Sequence, residues 1–158
     1  MTIVPETQAQ SNWCWATCVR MVAQAAGSSP PEQCAIVNQF LSRSDCCVNG
    51  ASEACDKPLE ATRIPLLYSA FALVADALEP GGAVTEPIVR QALQAGPVVQ
   101  LLLDLGSAYH YTLLTATTAG GYDVVDPLYG PFTNTWAYIA SGFDQGGSVS
   151  AAWRVHPR

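Results

Sequence analysis

Gln8-Ala9-Gln10-Ser11-Asn12-Trp13-Cys14-Trp15-Ala16 is the stretch on which the fold turns. From Asn12 to Ala26 the apolar residues Trp15, Val19, Val22, Ala23 and Ala26 recur at helical spacing, and Ser11 or Asn12 is placed to cap the start. Cys14 then falls in the first turn, where backbone N–H groups lack partners and the helix dipole is positive. Both features favour thiolate over thiol, and the thiolate is the reactive form. A lone cysteine in such a place is ordinarily a buried apolar side chain or half of a disulfide, and the flanking tryptophans suit a core equally well. A nucleophilic cysteine also needs a base. The chain has two histidines, His110 and His156. His156 is two residues from the end, where chains commonly fray, which leaves His110.

His110 stands near the start of Tyr109-His110-Tyr111-Thr112-Leu113-Leu114, an apolar stretch rich in β-formers. Val124-Val125-Asp126-Pro127 closes the next one. Tyr109–Thr117 and Tyr122–Val125 should pair as a hairpin, bringing Asp126 roughly opposite His110. Perfect opposition would centre the turn on Thr118, yet the glycines stand at 120 and 121, so a bulge or offset is expected. An aspartate beside the imidazole would fix its tautomer and stabilise the imidazolium. Taken alone, Asp126 also reads as an Asp-Pro turn residue.

Working outward, Gly27 to Pro31 stops the first helix and Pro30-Pro31-Glu32 opens a second one carrying Cys34, Ile36, Val37, Phe40 and Leu41. Leu59–Leu78 reads as helical at first, with Pro65 starting a fresh turn, and Glu86–Ala95 as a short helix ended by Gly96-Pro97. Strands are expected at Val98–Leu103, Tyr109–Thr117, Tyr122–Val125 and Ser148–Val155. Phe132–Trp136 is a further candidate, with a short helix after it. Helices followed by an antiparallel sheet make an α+β order in a single domain over residues 1–158. Apolar residues are 49% and charged residues 13% of the chain, which excludes disorder. A net charge of −6 with one lysine and six scattered arginines makes nucleic acid and anionic membranes poor partners. The best apolar run, Pro97–Leu105, is too short to span a bilayer.

Four of the six cysteines, Cys34, Cys46, Cys47 and Cys55, crowd a polar stretch. In a reducing compartment such crowding suggests a metal site, in an oxidising one disulfides. Vicinal Cys46-Cys47 is not a zinc knuckle and no C-x-x-C pair exists. Disulfides are the preferred reading, and with them an exported chain, secreted or delivered into a target cell, although no signal peptide is visible at Met1–Gln10.

Val4-Pro5, Gln8, Cys14-Trp15-Ala16, His110 and Asp126-Pro127, in that order, resemble the papain-like cysteine peptidases. The closest likeness is to their small bacterial branch of bacteriocin-leader-processing peptidase domains and plant-pathogen effector proteases. The likeness spans about residues 3 to 130. It implies a papain-like fold, with the nucleophile opening the first long helix and the base on the sheet. It also implies Cys14 as nucleophile, His110 as general base and acid, Asp126 as orienting residue, and Gln8 with the Cys14 N–H as oxyanion hole. A neutral amide can hold an oxyanion without titrating; Gln10 is the rival, only four residues from Cys14. The activity implied is hydrolysis of a peptide bond through an acyl-enzyme, on a protein or peptide substrate, by a monomer needing no metal or organic cofactor. Acyl transfer or glutamine deamidation could use the same triad, and a non-catalytic disulfide-stabilised binding module is the alternative of a different class. The chain departs from the pattern at Tyr109, where many relatives have Gly, and in its cysteine cluster, which resembles the extra cysteines of some small exported relatives. Pairing Cys34 with Cys46 or Cys47, and the other vicinal cysteine with Cys55, is the simplest arrangement. Cys18 is then a buried thiol.

Overall fold

The computed structural model describes residues 1–158. Helix α1 (Cys14–Ala25) is apolar on nearly every side and is buried as such a helix must be, with Arg20 and Gln24 at its wetter face. α2 (Gln33–Leu41) packs against it. A 3-10 turn (Ala61–Arg63) leads into α3 (Ile64–Ser69), with Pro65 in its first turn, and then into strand β1 (Leu73–Ala77). The expectation of helix across Leu59–Leu78 therefore holds only in part. β-Branched Val74 and apolar Leu73 find a sheet edge beside the C-terminal strand, and tertiary pairing overrides the local pattern.

The rest follows as α4 (Glu86–Ala95), β2 (Val98–Asp104), β3 (Tyr109–Thr118), β4 (Gly121–Asp126), β5 (Gly130–Asn134), α5 (Trp136–Ala140) and β6 (Ser148–Pro157). The six strands form one antiparallel sheet in the order β1-β6-β2-β3-β4-β5. Strand β2 lies inside it with both faces covered, which explains its unbroken burial from Val98 to Leu103. One face carries the larger core, where Val98, Leu102, Tyr111, Leu113, Val125 and Trp153 meet α1, α2 and α3. On the other, Val99, Leu101, Leu103, Leu114 and Val124 meet Val89 and Ala92 of α4 and Ile139 of α5.

The β3–β4 hairpin contains the anticipated bulge. Thr117 faces Tyr122 and Ala116 faces Asp123, but beyond Thr115 the register slips, so that Leu114 faces Val124 and Leu113 faces Val125. Continued by one residue, that register sets Thr112 across from Asp126, and His110 shares the face of Thr112. Without the bulge Asp126 would oppose Leu113 and project from the other face. A one-residue slip exchanges the two faces of a strand, so this irregularity is what lets His110 and Asp126 meet.

Cys34 pairs with Cys47, and Cys46 with Cys55, leaving Cys14 and Cys18 as buried free thiols. The cystine loop is fastened to the start of α1. Trp13 Nε1 donates to Cys55 O at 2.9 Å, Trp15 Nε1 to Lys57 O at 3.0 Å, and Asn12 N to Asp56 Oδ1 at 2.7 Å. These bonds replace the expected Ser11 or Asn12 cap. The residue before α1 is Trp13, and no side chain caps it. Gly50 approaches this junction so closely that a Cβ there would lie 3.0 Å from both Cys46 O and the Trp13 ring. His156 is not frayed: it pairs with Val74 across β6–β1 and its Nε2 stands 3.1 Å from Asp76 Oδ2.

Candidate active site

Three elements bring the sequence-selected residues together. The first position of α1 supplies Cys14, the start of β3 His110, and the end of β4 Asp126. All three are buried, at 3%, 7% and 1% exposure, so the nucleophile candidate is less open than a freely exposed thiol. The imidazole Nε2–H of His110 donates to Asp126 Oδ2 at 2.7 Å. Its Nδ1 is the ring nitrogen that Asp126 leaves free, and Cys14 is near enough to favour the charged ring.

Asp126 bonds to His110 and to the turn behind it at once. While Oδ2 holds His110, Oδ1 accepts from Leu128 N at 2.8 Å and Tyr129 N at 2.9 Å, forming the Asp-Pro turn between β4 and β5. The carboxylate is saturated with donors and aimed in one direction. Burial opposes its charge, but the bond to His110 and those turn amides outweigh that and keep it below the ordinary carboxylate range. For His110, burial alone would favour the neutral ring. Asp126, and then Cys14, overcome burial and push it up to about 10, so the ring is an imidazolium at neutral pH.

Gln8 is tied to the site by its backbone, whose N–H donates to Pro127 O at 2.9 Å, next to Asp126. Its side chain is engaged locally. Nε2 donates to Gln10 O at 2.9 Å and Ser11 O at 2.8 Å, and Oε1 is buried without a partner. Both amide donors are thus committed to the backbone just before α1, and an oxyanion would have to take one of them over. The Cys14 N–H, at the first helical position, has no acceptor within the helix. Gln10 points elsewhere: its Nε2 lies against Gly50.

Cys18, one turn along α1, donates its thiol proton to Tyr111 O across 3.6 Å. Burial, reinforced by Cys14 and Asp126, raises its pKa well above the ordinary thiol value. It is a packing residue beside the site.

One feature escaped sequence reasoning. Phe143 meets the His110 ring edge-on at 6.1 Å between centroids. The Gly142, Gly146 and Gly147 cluster flags a loop there, but nothing in the sequence says where that loop folds back. Tyr109, half-exposed, lines a cavity of about 320 Å³ with Leu59, Ala61, Leu102 and Tyr111.

No protein-family model and no curated protein matches the chain. Solved structures do. The peptidase domain of Streptococcus ComA, a bifunctional ABC transporter of a quorum-sensing pathway, superposes with a TM-score of 0.67 at 11% identity over 99% of this chain and 100% of that one. A double-glycine-motif protease from an AMS/PCAT transporter, solved with its leader peptide, gives 0.64 at 13% identity over 99% and 93%. The fold is that of the ABC-transporter peptidase domains. Helices first, then an antiparallel sheet carrying His110 and Asp126, is the papain-like arrangement expected. The expectation of a secreted or delivered effector is corrected by the same finding, since the structures sharing this fold are domains of transporters rather than exported effectors. Paired cysteines in the loop explain its geometry; they do not fix a destination.

Proposed function

We propose that this chain is a thiol peptidase in which Cys14 is the nucleophile, His110 the general base and acid, and Asp126 the residue that orients and charges His110. The observation that carries the reading is the Asp126 Oδ2–His110 Nε2 bond of 2.7 Å. It leaves Nδ1 for Cys14 at the start of a buried helix.

The Cys14 thiolate attacks a peptide carbonyl, and negative charge develops on the carbonyl oxygen. The free Cys14 N–H receives it, helped by a Gln8 N–H that leaves the carbonyl of Gln10 or Ser11. His110, already protonated, delivers its Nδ1 proton to the leaving amine. It then takes a proton from the water that resolves the thioester. Asp126 remains ionised and holds the ring through both steps. A peptide substrate is supported by the shared fold, since one of the solved neighbours holds a leader peptide. Substitution of Cys14 by Ala should abolish both cleavage of a peptide library, followed by mass, and covalent labelling by an epoxide thiol inhibitor. Undiminished cleavage by that variant would falsify the assignment. Products one dalton heavier, or cross-linked, in place of fragments would move the same triad to deamidation or acyl transfer.

A further inference from the structure

On the His110–Asp126 side of the site a cavity of about 280 Å³ is lined by Tyr129, Phe132, Tyr138, Phe143 and Gln145. Four of its five lining residues are aromatic, and they brace one another edge-on: Phe132–Phe143 at 5.5 Å and Tyr129–Phe143 at 5.7 Å between centroids. Its inner wall, Phe143, is also the ring that touches His110. Its outer wall, Tyr129, belongs to the turn whose N–H holds Asp126 Oδ1, and is 57% exposed, so the cavity opens to solvent beside the dyad.

The loop that delivers Phe143 is held in an uncommon conformation. Phe143 and Asp144 are consecutive non-glycine residues in the left-handed region, at φ 60° and 64°. Ser141 fixes them, its Oγ accepting from Asp144 N at 3.1 Å and its carbonyl from Gln145 N at 3.2 Å and Gly147 N at 2.8 Å. Strained backbone that surrounding bonds hold in place beside reacting groups is a mark of a built site.

Resting on the peptidase reading above, we propose that this cavity is the specificity pocket for the leaving side of the substrate. In that role it accepts a large apolar side chain at the first or second residue beyond the scissile bond. The direction follows from the chemistry. The acyl half of the substrate becomes bonded to Cys14 sulfur, whereas the departing amine receives its proton from His110, so the chain beyond the cleaved bond leaves across the imidazole. None of the five lining residues comes from α1 or the cystine loop, which surround Cys14. An extended peptide advances about 3.3 Å per residue, so a pocket whose wall stands 6.1 Å from the His110 ring serves the first two residues past the bond. The side-chain class follows from the lining. It holds no carboxylate, so a cation would lose its water without an anionic partner, while an aromatic or leucine-sized side chain packs against the ring edges.

The test is a proteome-derived peptide library cleaved by the full chain, with the new amino termini identified by mass spectrometry. Phe, Tyr, Leu, Met or Trp should be enriched at the first or second position of those termini. For matched peptides differing only there, the ratio of kcat/KM for Phe over Gly should be about 10-fold or more, because even one methylene in an apolar pocket discriminates by roughly 10- to 200-fold. In Phe132→Ala that ratio should collapse towards one; the ratio is internal to each variant, so a general loss of activity does not imitate it. Cleavage without preference at those positions, or with preference for Lys, Arg or acidic residues, overturns the pocket alone. Absence of cleavage together with an unlabelled Cys14 in the wild-type chain overturns the peptidase reading and the pocket with it.

Discussion

Replacing Asp126 by Asn isolates what its second hydrogen-bonding role does to the first. The carboxylate now accepts from Leu128 N and Tyr129 N through Oδ1 and from His110 Nε2 through Oδ2. A carboxamide has one oxygen, which must choose. Turning its NH2 group to the turn would set donor against donor at two backbone N–H groups, and orphaning such groups costs about 2–6 kcal/mol for the pair. Turning its oxygen to the turn leaves NH2 facing His110 Nε2 and costs the imidazolium only its Nε2 proton. The second arrangement wins, Nε2 becomes the acceptor, and Nδ1–H faces Cys14, where no base is then available. A wrong-tautomer lesion of this kind in a catalytic triad lowers kcat by about 10⁴. Loss of the carboxylate charge also removes the main opposition to burial, so His110 should titrate well below its present value of about 10. The assays are kcat/KM on a cleavable library peptide, epoxide labelling located at Cys14 by mass, and imidazole titration by NMR. Because Asn keeps the turn bonds, its urea midpoint should stay nearer wild type than that of Asp126→Ala, which orphans both amides. An Asp126→Asn chain that is folded and within a few-fold of wild-type turnover would refute the reasoning that the turn dictates the orientation.

Three further outcomes are expected. The His110 pKa is raised on folding, so its stabilisation is complete below about 6.5 and is lost as pH rises towards about 10. The wild-type urea midpoint should accordingly fall across that window, and the fall should be shallower in Asp126→Asn. Opening the Cys46–Cys55 bridge by Cys46→Ala should cost about 2–4 kcal/mol in urea unfolding. It should lower turnover as well, because Trp13 and Trp15, on either side of Cys14, bond to that loop; unchanged turnover would separate the loop from the site. Gln8→Ala should reduce kcat by about 10²–10³ with little change in KM if its amide joins the oxyanion, whereas a rise in KM alone would leave it a tether for Gln10 and Ser11.

Much of the architecture is written in local pattern. Cys14 opening α1, Glu86–Ala95 as a helix and the strands from Val98 onwards all follow from periodicity and turn residues, which short-range sterics control. Even the bulge was foreshadowed by glycines that stand off the hairpin's centre. Residues 73–77 were illegible as a strand because their pairing partner, β6, lies at the far end of the chain. The same distance hid the order of His156 against Asp76.

The chain by itself determined which side chains could do chemistry: one cysteine at a helix start, one histidine on a strand, one aspartate at its return. Only the tertiary structure decided that Thr115 bulges, so that His110 and Asp126 share a face, and that Gln8 spends both N–H groups on the backbone. It also decided that Phe143, from the loop between α5 and β6, packs edge-on against the imidazole. These are questions of which face and which partner. Their answers depend on packing between segments far apart in sequence, and a local pattern carries no record of that.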